Sequence, residues 1–214
     1  MQIVFLFYDG MTALDVVGPH EILCRLPGAK VHRVAKRAGE VRTDSAGLLL
    51  IAECALADVA HADVLVIPGA GSATTLREHP EILDWVRSIH ATTKWTTSVC
   101  TGSLILGAAG LLSGLRATTH WAAFDRLHSW GAKPTRARIV EEGKVITAAG
   151  VSAGIDMALT LAAKIAGPRL AQSLQLGIEY DPEPPFDVGS PDKADRVILE
   201  TLRSRLAASF ESVP

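Results

Sequence analysis

Three apolar runs, each shut off at its C-terminal end by a turn signal, constrain this chain more than any other feature. Ile3-Val4-Phe5-Leu6-Phe7 closes at Tyr8-Asp9-Gly10, Asp63-Val64-Leu65-Val66-Ile67 at Pro68-Gly69, and Lys94-Trp95-Thr96-Thr97-Ser98-Val99 at Cys100-Thr101-Gly102. Short runs that do not alternate with polar residues read as strands covered on both faces, as in a parallel sheet. Helical patterns lie between them. Pro19 to Arg25 has proline in its first turn, and Pro80 to His90 carries Ile82, Leu83, Val86 and Ile89 on one face.

Beyond Cys100 the pattern continues with a helix over Gly102 to Leu112, ended by Gly114, and another capped by Thr119 with Trp121, Phe124 and Leu127 on one stripe. Arg138 to Val140 and Lys144 to Thr147 flank Glu141-Glu142-Gly143 as a hairpin. Ile155 to Ala166 is helical and restarts at Pro168; Asp181 to Phe186 is held extended by its prolines, and an amphipathic helix runs from about Lys193 to Phe210. Alternation of this kind predicts an α/β sandwich with a mostly parallel sheet. The 214 residues, without a linker, predict one domain over 1–214.

Composition excludes several functions. A net charge of −2 without a Lys/Arg run speaks against nucleic-acid binding. The longest apolar stretch, Leu104 to Leu112, is broken by Gly107 and Gly110 and is too short for a bilayer. Met1-Gln2-Ile3-Val4-Phe5 has neither the basic start nor the cleavage site of a signal peptide, so a soluble cytoplasmic protein is expected. Cys24, Cys54 and Cys100 are odd in number and widely spaced, which supports neither a disulfide framework nor a zinc site.

Ligands of parallel sheets sit outside the carboxyl ends of the strands, where Cys100 falls. Ser98-Val99-Cys100-Thr101-Gly102 places a thiol at a strand-to-helix turn flanked by small residues, as a nucleophile elbow requires, although Ser98 replaces one glycine. The following helix is expected to lower the thiol pKa through its N–H groups and dipole. A buried, inert cysteine is the competing reading. Cys24, in a helical segment, and Cys54 are read as structural. A thiolate that passes protons to a substrate needs an acid or base beside it. Asp9 suits a turn, whereas Asp15, set between Leu14 and Val16, is costly without a partner and is the stronger candidate; a cap ahead of Pro19 is its alternative. His120 is a possible partner of Cys100 or an ordinary helix start.

These segments resemble the ThiJ/PfpI superfamily: Phe7-Tyr8-Asp9-Gly10, Leu14-Asp15-Val16-Val17-Gly18-Pro19, Val66-Ile67-Pro68-Gly69, Ser98-Val99-Cys100-Thr101-Gly102-Ser103, Ala117-Thr118-Thr119-His120-Trp121, Gly150-Val151-Ser152-Ala153-Gly154-Ile155-Asp156, and the stretch from Gln175 through Phe186. Within the superfamily the chain is most similar to the branch that hydrates isonitriles. The resemblance implies a flavodoxin-like three-layer sandwich, a homodimer with its interface near the elbow, no metal or organic cofactor, and Cys100 paired with Asp15. Protease-like members follow the nucleophile with His, and this chain has Thr101. Redox-chaperone and glyoxalase-like members carry Glu where this chain has Asp15. Gly69-Ala70-Gly71 departs from the two adjacent glycines common in the family.

The expected reaction is hydration of an isonitrile to an N-substituted formamide. Cys100 attacks the terminal carbon as the neighbouring nitrogen is protonated, and water positioned by Asp15 and the Thr101 hydroxyl resolves the thioimidate. The Thr101 N–H and the Gly69-Ala70 loop are expected donors to developing charge, with Gly150 and Val151 closing the pocket. The alternatives are a glyoxalase, deglycase or redox-stress cysteine protein of the same superfamily, or a non-catalytic ligand sensor. At this length the helix-turn-helix pair that related sensors carry is not expected. Trp85, Trp95, Trp121 and Trp130 are more large aromatics than a small monomer is expected to expose, which favours the dimer.

Overall fold

The apolar run that opens the chain lies inside the main sheet, and Ile3, Val4, Phe5 and Leu6 are fully buried. The structure, a computed structural model, describes residues 1–45, 47–71 and 79–210. Strand β1 (Gln2–Leu6) leads into helix α1 (Ala13–Leu23) and strand β2 (Lys30–Ala35). A hairpin of β3 (Gly39–Arg42) and β4 (Leu49–Ala52) follows, then the two-residue edge strand β5 (Cys54–Ala55) and β6 (Val64–Ile67). Helix α2 (Pro80–Thr92), strand β7 (Trp95–Val99) and helix α3 (Gly102–Ala108) carry the chain past Cys100. After the short strand β8 (Arg116–Ala117) come a 3-10 helix (Trp121–Trp130), β9 (Lys133–Pro134) and the hairpin of β10 (Ile139–Glu142) and β11 (Val145–Ala148). Helices α4 (Ala153–Ala166), α5 (Pro168–Gly177) and α6 (Arg196–Phe210) close the described chain.

The main sheet has the order β10-β11-β7-β6-β1-β2-β5, and only the β10–β11 pairing in it is antiparallel. With helices packed on it, this is the expected flavodoxin-like α/β fold. Strand order reverses beside β1, which has β2 on one side and β6 on the other. A crevice therefore opens beyond the carboxyl ends of β1 and β6, beside β7.

Several local expectations are corrected. Helix α1 begins at Ala13 rather than Pro19 and holds Pro19 in its interior. An interior proline costs ~3 kcal/mol; the burial of Val16, Ile22 and Leu23 offsets it at ~1.5–3 kcal/mol for each fully buried side chain. The same helix packs closely on α4: a Cβ on Gly18 would lie 2.9 Å from the Ile155 side chain. Helix α3 ends at Ala108, short of Leu112, where Gly110 takes a φ of 77° that other residues resist. The segment after Thr119 is 3-10, and its N-cap is His120, whose side chain accepts from the Ala122 N–H.

Strand β2 carries no continuous apolar run, because Lys30, His32 and Arg33 interrupt a strand near the sheet edge. The four tryptophans do not form an exposed set. Trp85 is buried with its Nε1 donating to Val59 O, and the other three are half-buried. Among the described residues, no helix is long and apolar enough to cross a membrane.

Candidate active site

Cys100 lies between the end of β7 and the start of α3 with a φ of 57°, a left-handed conformation that costs a residue with a Cβ roughly 1–2 kcal/mol. Such strain persists only where the surroundings over-determine it. Here the Cys100 N–H donates to Ala148 O and Ala149 O at 3.2 and 2.9 Å, tying it to the end of β11. Its carbonyl accepts from the Thr119 hydroxyl at 2.9 Å and the Ser103 hydroxyl at 3.3 Å. Thr119 thus braces the turn instead of capping a helix. Gly102 permits the close approach behind it, since a Cβ there would lie 2.3 Å from Ile67 O.

Asp15 reaches the same place from the first turn of α1. It is fully buried, and its Oδ2 accepts from the Gly69 N–H at 2.8 Å. Its Oδ1 has no hydrogen-bond partner among the described residues. Asp15 is therefore no cap. Burial pushes its carboxyl up to about 7; the Gly69 N–H opposes the rise and the charge of Asp44 adds to it. At neutral pH both protonation states are populated, as a group that must take up and return a proton requires.

The thiol departs from expectation. Burial first, and the Asp15 charge second, push Cys100 up to about 12, while N–H groups of Val151 and Thr101 and the Thr101 hydroxyl pull the other way. The helix start is present, yet desolvation outweighs it. The resting group is a thiol, and it becomes a good nucleophile only when its proton has somewhere to go.

Other expected roles are redistributed. The Ala70 N–H donates to the Thr101 hydroxyl at 2.8 Å, and that hydroxyl donates back to Ala70 O at 2.9 Å. With the Gly69 N–H on Asp15, neither loop amide is free to receive developing charge, and the Thr101 side chain already serves as a clamp. A Cβ on Gly69 would stand 2.5 Å from both Thr101 N and its Oγ1, so the loop needs its glycine. His120 does not pair with Cys100: it caps its own helix, and its ring packs where a Gly150 Cβ would come within 2.8 Å.

Tyr8 is the main residue that sequence reasoning missed. It is buried, donates to Pro68 O at 2.8 Å, and is pushed well above its usual pKa by burial and then by the charges of Asp15, Cys100 and Asp44. It stands at the end of β1 as Cys100 stands at the end of β7, so the rule that singled out Cys100 applied equally to it. Asp44 joins the loops by accepting from the Thr12 hydroxyl and the Gly71 N–H.

A cavity of about 520 Å³ approaches from the side of Thr119 and Val151, with Leu14, His120, Trp121 and Gly150 also in its wall. A second, of about 540 Å³, lies between α1 and β4, and neither cavity is lined by Cys100 or Asp15 themselves.

The sequence matches the DJ-1/PfpI family over residues 1–164. The chain belongs to the DJ-1/PfpI family. It is 46% identical over 211 residues to isonitrile hydratase of Pseudomonas putida, an alignment covering 99% of this chain and 92% of that one. Among solved structures it resembles a ThiJ/PfpI family protein from Pseudomonas syringae, with a TM-score of 0.93 and 41% identity over 97% of this chain and 86% of that one. DJ-1beta of Drosophila melanogaster shares the fold at 22% identity, with a TM-score of 0.74, covering 83% of this chain and 97% of that one. The matched DJ-1/PfpI region includes Asp15, Gly69, Cys100, Thr119 and Val151.

Proposed function

We propose that this enzyme hydrates an isonitrile to an N-substituted formamide, with Cys100 as nucleophile at an elbow and Asp15 as the proton carrier. The observation that carries the reading is the pairing of a buried thiol in a strained turn with a buried carboxyl that keeps one oxygen without a partner among the described residues. The full-length similarity to a protein named isonitrile hydratase supplies the substrate class.

The proton inventory balances without a cofactor. Ionised Asp15 takes the thiol proton as sulfur attacks the terminal isonitrile carbon, and returns it to that carbon, giving R–N=CH–S–Cys100. Water then adds to the same carbon. Asp15 relays one of its protons to nitrogen, and collapse of R–NH–CH(OH)–S–Cys100 breaks the C–S bond. The hydroxyl proton passes through Asp15 back to the sulfur, leaving R–NH–CHO. The first proton therefore goes to carbon, and nitrogen is protonated only in the hydration step. The N–H groups of Val151 and Thr101 favour thiolate character as it develops and as sulfur leaves.

Burial is a further asset, since excluding bulk water strengthens each of these electrostatic effects. A homodimer would extend it. Leu14 and Val17 on α1 and Leu48, Leu49 and Ile51 in and beside β4 are exposed, and α1 also carries Asp15. Unpaired thiols suit a reducing compartment such as the cytoplasm.

Incubation of the purified chain with a small alkyl isonitrile, followed by infrared detection of isonitrile loss and mass detection of the formamide, tests the reading. Formamide appearing at the rate of isonitrile loss is expected. An inert isonitrile alongside turnover of a 2-oxoaldehyde would transfer the protein to the glyoxalase-like reading.

A further inference from the structure

Among the described residues, His32, Glu53 and Cys54 each place one ligating atom within 4.8 Å of the others. We propose that these three side chains form a site for a thiophilic divalent cation of the Zn²⁺ class, held by His32 nitrogen, one Glu53 oxygen and the Cys54 sulfur, with water in the fourth position.

The wide cysteine spacing spoke against zinc, but only tertiary structure could bring these ligands together. Strands β2 and β5 pair in parallel with Val34 opposite Cys54. Side chains two apart on a strand share a face, so His32 lies diagonally beside Cys54. The Cys54 Sγ to His32 Nδ1 separation is 3.9 Å. A tetrahedral Zn²⁺ with ordinary Zn–S and Zn–N bonds holds sulfur and nitrogen about 3.6 Å apart, so only a small closure is needed.

Glu53 is preset for the task. Its Oε1 accepts from the Arg33 N–H at 3.0 Å and its Oε2 from Arg33 Nε at 2.8 Å, which fixes the carboxylate beside the sheet edge. Bonds of this kind around a ligating carboxylate orient it for a metal. Binding would release the Cys54 thiol proton to solvent as the metal–sulfur bond forms. The resulting thiolate and carboxylate neutralise a dication. The Arg33 guanidinium opposes the metal's charge, so an intermediate affinity is expected. Thiolate and imidazole together favour Zn²⁺ over Mg²⁺ or Ca²⁺.

The site is remote from the thiol of the proposed reaction. Four strand spacings separate β5 from β7 in the main sheet, or about 19 Å. Its effect would be to clip a two-residue strand onto β2.

Co²⁺ titration of the full chain tests the site without recourse to turnover. A near-ultraviolet thiolate-to-cobalt charge-transfer band is expected at one ion per chain, displaced by Zn²⁺, retained in Cys100→Ser and lost in Cys54→Ser. His32→Ala should weaken binding by at least ~10-fold, the smaller loss seen when even an outer partner of a metal ligand is removed. If that variant does not fold by circular dichroism, His32→Gln takes its place with the same expectation. Zn²⁺ should also raise the thermal midpoint of the parent chain and leave that of Cys54→Ser unmoved. No charge-transfer band, a band that follows Cys24 or Cys100, or undiminished affinity in the His32 variant would overturn the proposal.

Discussion

The Gly69 N–H donates to Asp15 Oδ2 at 2.8 Å, while Oδ1 of the same buried carboxyl has no partner among the described residues. One oxygen is thereby fixed in space and the other is left for the chemistry. Full satisfaction of both would lower the pKa further and hold the proton balance away from neutrality.

The first consequence concerns rate against pH. If ionised Asp15 accepts the thiol proton, kcat/KM should climb through an apparent pKa near the carboxyl's value of about 7 and level off above it. Asp15→Asn keeps the shape and removes the relay, so kcat should fall by about 10²-fold or more, with a smaller change in KM. Steady-state kinetics from pH 5 to about 9 would check both. A variant that keeps the acid limb would assign that limb to another group.

The same carboxyl should set a slope in stability. Its folded pKa of about 7 lies above the ordinary 3.8, so between these values the native state holds a proton that the unfolded chain has released. Its contribution is fully present below about pH 4 and is lost as pH rises through about 7, a difference of up to ~4 kcal/mol. Asp15→Asn should therefore be more stable than the parent above pH 7 and lose this part of the slope. Urea unfolding at pH 5 and pH 8 provides the comparison, and a variant with the parent's slope would contradict it.

Substitutions at Cys100 should separate chemistry from strain. Cys100→Ala and Cys100→Ser remove the competent nucleophile and should abolish turnover with the fold intact, while Cys24→Ser retains most activity. Cys100→Gly should also be inactive yet more stable than Cys100→Ala by about 1 kcal/mol, because glycine accepts a φ of 57° without cost. Thermal denaturation beside an activity assay reads both effects. Equal stability of the glycine and alanine variants would show that the turn relaxes once the thiol is gone.

Assembly is addressed at Ile51, which is 67% exposed on β4. Sedimentation at micromolar concentration should give a species of twice 22.7 kDa for the parent, shifted toward the monomer by Ile51→Lys. Apolar side chains gathered on an exposed face call for a partner surface, and a buried lysine within an isologous contact would be present twice. A parent chain that sediments as a fully active monomer would remove the dimer from the mechanism.

The sequence by itself determined the strands β1, β6 and β7, because continuous apolar runs ended by turn residues leave a chain few alternatives. It also marked Cys100 and Asp15, one by its place after a strand and the other by a charge between apolar neighbours. It did not determine their protonation. A helix start should lower a thiol pKa, but desolvation depends on what the rest of the chain packs over Cys100, and only the tertiary structure decided that the thiol rises. Pro19 marked a helix start locally, yet the burial of α1 against α4 outweighed it. Thr119, Gly69 and Ala70 acquired their partners across 19, 54 and 31 residues, respectively, and no local pattern records such pairings. His32 and Cys54 met in the same way, through strand register, which fixes the neighbours of a side chain only after the sheet has formed.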